Sequence, residues 1–70
     1  MAEHFQISLA GARREAHYTQ EAAAEKMGVT KQTIVNWEKG TTEPTIKQAE
    51  EMCALYGRHY DDIFWPCKSN

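Results

Sequence analysis

Seventy residues, 41% of them apolar and 26% charged, make one ordinary globular domain with no room for a second. No apolar run approaches bilayer length, and the first residues lack a secretory pattern, so a cytoplasmic protein is expected. The net charge of −2 speaks against a polyanionic partner unless the cations share one face.

No segment alternates apolar and polar residues with the period of a half-buried strand. The prediction is therefore all-α, a compact five-helix bundle in a single domain over residues 1–70. Its core spans about 8–65, between a short N-terminal arm and a C-terminal tail.

The first helix is expected from Ser8 to His17, with Leu9, Ala12 and Ala16 on one side. Gly11 lies inside it at a cost of about 1 kcal/mol relative to alanine. It marks either a frayed helix or the close approach of another backbone, and fraying is the simpler reading. The second helix covers Gln20 to Met27, capped by Thr19, ended by Gly28 and buried through Ala23, Ala24 and Met27. The third covers Lys31 to Lys39, with Thr30 as its cap and Gly40 as its stop. Val29 and Ile34 stand at hydrophobic-staple spacing, and Ile34 and Trp37 face inward. Thr45 and Gln48 have capping-box spacing and begin a fourth helix, with Ile46, Ala49, Met52, Cys53 and Tyr56 as its apolar side and Gly57 as its end. A fifth helix from about Tyr60 to Phe64 would present Tyr60, Ile63 and Phe64 before Pro66 stops it.

Two short helices joined by a glycine-containing turn form the mechanical unit of a helix-turn-helix DNA reader. The charge distribution agrees with this better than the total does. Glu50, Glu51, Asp61 and Asp62 crowd the last third, while Lys31, Lys39 and Lys47 lie on or beside the third helix and its following loop. Cys53 reads as a small core residue and Cys67 as a tail thiol. His4, His17 and His59 do not stand at zinc-finger spacing from either cysteine, so neither metal nor cofactor is expected. Neither a nucleophile–base set nor a glycine-rich phosphate loop is evident, which disfavours an enzyme.

Several elements recur in order across residues 9 to 64: Arg13, Thr19-Gln20, the AEKMGVT of residues 24–30, Ile34, the WEKG of residues 37–40, Pro44 and the DDIF of residues 61–64. In these the chain resembles the lambda-repressor/Cro-like helix-turn-helix family, also called the XRE family. The resemblance implies a lambda repressor-like DNA-binding domain whose third helix enters the major groove of double-stranded DNA. Lys31, Gln32, Thr33 and Asn36 then fall where such proteins contact bases. Lysine suits guanine O6 and N7, and glutamine or asparagine suits adenine N6 and N7. Gln20, Thr30, Lys39, Thr41, Thr42 and Lys47 match positions facing phosphates; a helix N-terminus is itself an anion site. Arg13 and Glu38 match a structural salt bridge joining the first helix to the third. Similar proteins act as two-fold dimers, which points to Ile63, Phe64, Trp65 and Pro66 as a candidate dimer surface, although Phe64 and Trp65 could equally complete the monomer's own core.

The sequence departs from the family at Ala12, Ala23 and Ala49, where relatives usually carry larger aliphatics. Trp37, Met27, Tyr18 and Tyr56, helped by Met52, are expected to fill that volume. Arg58 stands where a small apolar residue is common. The function implied is a sequence-specific transcriptional regulator, a repressor on a palindromic operator. The alternative is a protein-interaction module of antitoxin type that binds a partner protein and can also repress its own operon.

Overall fold

The computed structural model describes residues 6–66. Among them are four α-helices: α1 (Leu9–Glu15), α2 (Gln20–Met27), α3 (Lys31–Lys39) and α4 (Ile46–Tyr56). A single 3₁₀ turn, Tyr60–Asp62, follows α4. Two-residue strands at either end, β1 (Ile7–Ser8) and β2 (Ile63–Phe64), pair in parallel, Ile7 opposite Ile63 and Ser8 opposite Phe64.

The expected fifth helix is thus corrected, as is the expected absence of strands. Tyr60 to Phe64 divides into the 3₁₀ turn and β2 because Ile63 takes an extended conformation, φ −108° and ψ 132°. Pro66, lacking an N–H, gives a helix nothing to propagate into. Pairing only two residues long leaves no periodic trace for a sequence reader. Its effect is to tie the two ends of the described chain together beneath α1.

The helix caps follow the residue chemistry. Thr19, Thr30 and Thr45 each accept a hydrogen bond from the backbone N–H three residues on, and Gln48 completes the capping box with Thr45. Gly28, Gly40 and Gly57 end α2, α3 and α4 in the left-handed region, which a glycine enters without strain. α1 is shorter than expected. Ser8 is its cap, not its first residue, and His17 leaves the helix with φ 67°. A Cβ added at Gly11 would lie 2.9 Å from Ser8 Oγ and 3.0 Å from an Ile7 side-chain carbon, so what crowds this glycine is the side chains just before α1, and neither fraying nor another backbone explains it.

Leu9, Ala12, Ala23, Ala24, Ile34, Trp37, Met52, Tyr56 and Ile63 form the core, with Tyr18, Met27, Val29 and Leu55 packed against it. The three alanines are buried. Ala12 and Ala23 share the core with Trp37, Met52 and Tyr56, with Tyr18 and Met27 packed against it, whereas Ala49 lies outside that cluster and lines a groove with Tyr60 and Trp65. Tyr18 and Tyr56 meet with ring centroids 6.2 Å apart. Ile46 departs from expectation: it is 77% exposed, because the first residue of α4 projects beyond the edge of the core. Arg58 extends to Glu15 on α1, so a charged residue ties down the turn after α4.

Candidate nucleic-acid interface

α2 and α3 are joined by Gly28, Val29 and Thr30 alone. Gly28 reverses the chain, and Val29 N–H donates back to Ala24 C=O at 2.9 Å, satisfying a carbonyl at the end of α2. Thr30 then restarts the helix, its hydroxyl accepting from Thr33 N–H at 3.2 Å. Ile34 and Trp37, 1% and 3% exposed, hold α3 against the body from behind.

A turn of about 100° per residue fixes what the opposite side presents. Gln32, Val35, Asn36 and Lys39 lie within about 50° of the direction facing away from Ile34 and Trp37. Lys31 and Thr33 lie on the two flanks, about 90° and 110° from it. Gln32 and Lys39 are exposed, while Val35 and Asn36 are half-buried. Gln32 Nε2 donates to Asn36 Oδ1 at 3.0 Å, and the hydroxyls of Thr30 and Thr33 meet at 2.8 Å. Lys31 Nζ lies 3.2 Å from Glu21 on α2, where both side chains are largely solvated. A hydrogen bond from its own backbone N–H first, and then that lysine, draw the Glu21 carboxyl below its ordinary range.

Behind α3 the Arg13 guanidinium donates through Nε to Glu38 Oε2 at 2.7 Å and through Nη2 to Oε1 at 3.4 Å. Its Nη1 donates to Tyr18 C=O at 2.8 Å, and Gln20 Nε2 adds a bond to Glu38 Oε1 at 3.1 Å. The salt bridge expected between Arg13 and Glu38 is present, and both side chains are 8% exposed. It fastens α1 and the start of α2 to the last turn of α3.

The site residues expected from sequence therefore separate into groups. Gln32 and Asn36 share the outward face, and Lys31 and Thr33 flank it. Lys39, Thr41, Thr42 and Lys47 are exposed on and beyond the end of α3. Gln20 is partly engaged with Glu38, and the Thr30 hydroxyl is occupied within the chain. Ile63 is 1% exposed inside the core, whereas Phe64 is 59% exposed. Trp65 stacks on Tyr60 at 5.0 Å and donates through Nε1 to Tyr60 C=O at 2.9 Å. Val35, three residues after Gln32, shares that outward face. Sequence reasoning passed over the Glu21–Lys31 pair, which crosses the turn and has no helical spacing to reveal it.

A helix-turn-helix family model matches residues 9–63, the span from the start of α1 into β2. The chain belongs to the XRE-like helix-turn-helix family. This XRE-like chain is 45% identical over 53 residues to an HTH-type transcriptional regulator of Methanothermobacter thermautotrophicus, covering 74% of this chain and 77% of the relative. A regulator of the same description from Methanocaldococcus jannaschii is 44% identical, with 66% of this chain and 70% of the relative covered. One from Bacillus subtilis is 38% identical, with 69% and 73% covered. No solved structure matches the chain. Among the described residues, no helix is long and apolar enough to cross a membrane, and no three metal-ligating side chains are grouped.

Proposed function

We propose that this XRE-like chain is a sequence-specific, double-stranded-DNA-binding transcriptional repressor acting in the cytoplasm, with α3 as its reading helix. The observation that supports this best is the two-sidedness of α3. Ile34 and Trp37 anchor one side, and the other offers Gln32 and Lys39 to solvent with the half-buried Asn36 between them. Lys31, Gln32, Thr33 and Asn36 serve as the base-contacting set. Lys39, Thr41, Thr42 and Lys47 grip phosphates, joined by Gln20 through the N–H that Glu38 leaves over. Repression by occupancy requires no chemistry from the protein, in keeping with a regulator and not an enzyme.

One such helix reads only a few base pairs, too few for a useful specificity ratio in a genome. A homodimer on a palindromic operator, half-sites about one helical turn apart, supplies the rest. Phe64 is the exposed member of the dimer candidates, with Trp65 and Pro66 beside it; Ile63 is occupied by the core. Selection of duplexes from a random pool at stated salt tests the reading. The expected result is a palindrome, and Phe64→Ser is expected to reduce binding to it without unfolding the domain. Recovery of single, non-repeated sites would remove the dimer from the proposal.

One feature favours the alternative of a protein-interaction module. A groove of about 250 Å³ runs between Pro44, Ile46 and Ala49 on one side and Tyr60, Trp65 and Pro66 on the other. An absence of duplex binding even at low salt would shift the assignment to that face.

A further inference from the structure

The two amides on the outward face of α3 do not act independently. An amide nitrogen carries two hydrogens and its carbonyl oxygen two lone pairs. The bond from Gln32 Nε2 to Asn36 Oδ1, 3.0 Å long and one helical turn along, takes one of the two Gln32 hydrogens. It also fixes which end of the Gln32 amide faces Asn36. One N–H and the carbonyl Oε1 of Gln32 remain for a partner, together with both N–H groups of Asn36.

In the major groove guanine shows two acceptors, N7 and O6, while adenine shows the N7 acceptor beside the N6 donor. A glutamine with one hydrogen already committed matches adenine's pattern and is one donor short of guanine's. Lys31, the natural guanine donor of this helix, lies on the flank and is drawn to Glu21 on α2. The outermost line of α3 therefore carries no cation until Lys39, its last residue.

We infer that Asn36 is a positioning residue that locks Gln32 as an adenine reader, so that each half-site holds an A·T pair where Gln32 lands. The base beneath Asn36 then presents an acceptor, as guanine does and thymine does through O4. This deepens the proposed function and rests on it. An exposed bond between residues four apart on a helix is weak in water. In a dehydrated groove it is costlier to break, because turning Gln32 toward guanine strands the Asn36 carbonyl without a donor.

The test measures binding of the full chain to the selected duplex and to its single-base substitutions. For the wild type, one position per half-site is expected at which adenine to guanine costs about tenfold or more. Gln32→Ala removes that preference. Asn36→Leu leaves Gln32 in place yet is expected to reduce the adenine preference about fivefold or more at the same position, as stranding one acceptor implies. Asn36→Asp, which still accepts from Gln32, keeps the preference while weakening binding to every duplex by its charge. Thermal melts confirm that each variant is folded. Specific binding in which Asn36→Leu leaves the preference untouched, or in which the wild type selects guanine at that position, overturns the inference alone. A chain that binds no duplex overturns the regulator reading as well.

Discussion

The Arg13–Glu38 pair joins α1 to α3, and its cost of removal can be worked from the structure. Both side chains are 8% exposed, so neither charge can find water if the other is deleted. Removing one partner of a buried pair costs about 3–5 kcal/mol. The whole domain, at 70 residues, has roughly 4–10 kcal/mol of stability. Glu38→Leu and Arg13→Met alone should therefore each remove a large share of it. Replacing both removes the charges together and fills the space with apolar atoms, which is often neutral. Here the replacement still strands Tyr18 C=O and the Gln20 amide, so the double variant should lie within about 2 kcal/mol of wild type. Guanidinium unfolding of the four proteins gives the cycle, with an expected coupling of about 3 kcal/mol or more. Single variants that each cost less than about 1 kcal/mol and add in the double would refute the reasoning, because they would describe a solvated pair.

Tyr56 is 5% exposed and its hydroxyl has no hydrogen-bond partner among the described residues, so Tyr56→Phe should stabilise the fold by about 1 kcal/mol, read as a higher melting temperature. Burial first, and then the Glu38 charge, push the Tyr56 hydroxyl up from 10 to about 12. The neutral form is thus favoured in the fold, so its contribution is fully present below pH 10 and falls away as pH rises toward 12. Tyr56→Phe should lack this alkaline loss, and identical pH profiles for the two proteins would contradict it. Lys39→Ala should lower affinity for all duplexes alike and flatten the slope of log K against log salt by about 0.9 per protomer. An effect confined to one base position would make Lys39 a reader instead.

Much of the fold was readable because its signals are local. Threonine caps and glycine stops marked α2 and α3 to the residue, the capping box marked the start of α4, and the spacing of Ile34 and Trp37 gave the buried side of α3. What escaped depends on where distant segments meet. Ile7 and Ile63 pair across the whole length of the domain, and no periodicity in a two-residue strand announces it. Gly11 looked like a weak point, yet it lies where Ser8 and Ile7 leave no space for a side chain. Ile46 fits the apolar stripe of α4 by spacing but stands one turn too early to reach the core. At the candidate site, residue types were visible and their commitments were not. Gln20 was legible as a polar residue at a helix start; only the structure brings it to Glu38, eighteen residues on.

Those commitments also bear on how an acidic chain can hold a polyanion. Of the seven described cations, Arg13, Lys31 and Arg58 are paired within the protein, to Glu38, Glu21 and Glu15. Each pairing cancels an acid against a base and leaves the net charge as it was, so the field near α3 depends on where the remaining charges lie. Lys39 lies on the outward face, and Lys47 is exposed just beyond the loop that follows it. Two phosphate contacts per protomer would give a dimer a log–log salt slope of only about −4. Charge attraction of that size brings a duplex close without binding all duplexes tightly. Under the proposed function, discrimination would then rest on the amide pair with Lys31 and Thr33 beside it, and a weak non-specific grip would raise the ratio by which the right sequence is preferred over the wrong ones.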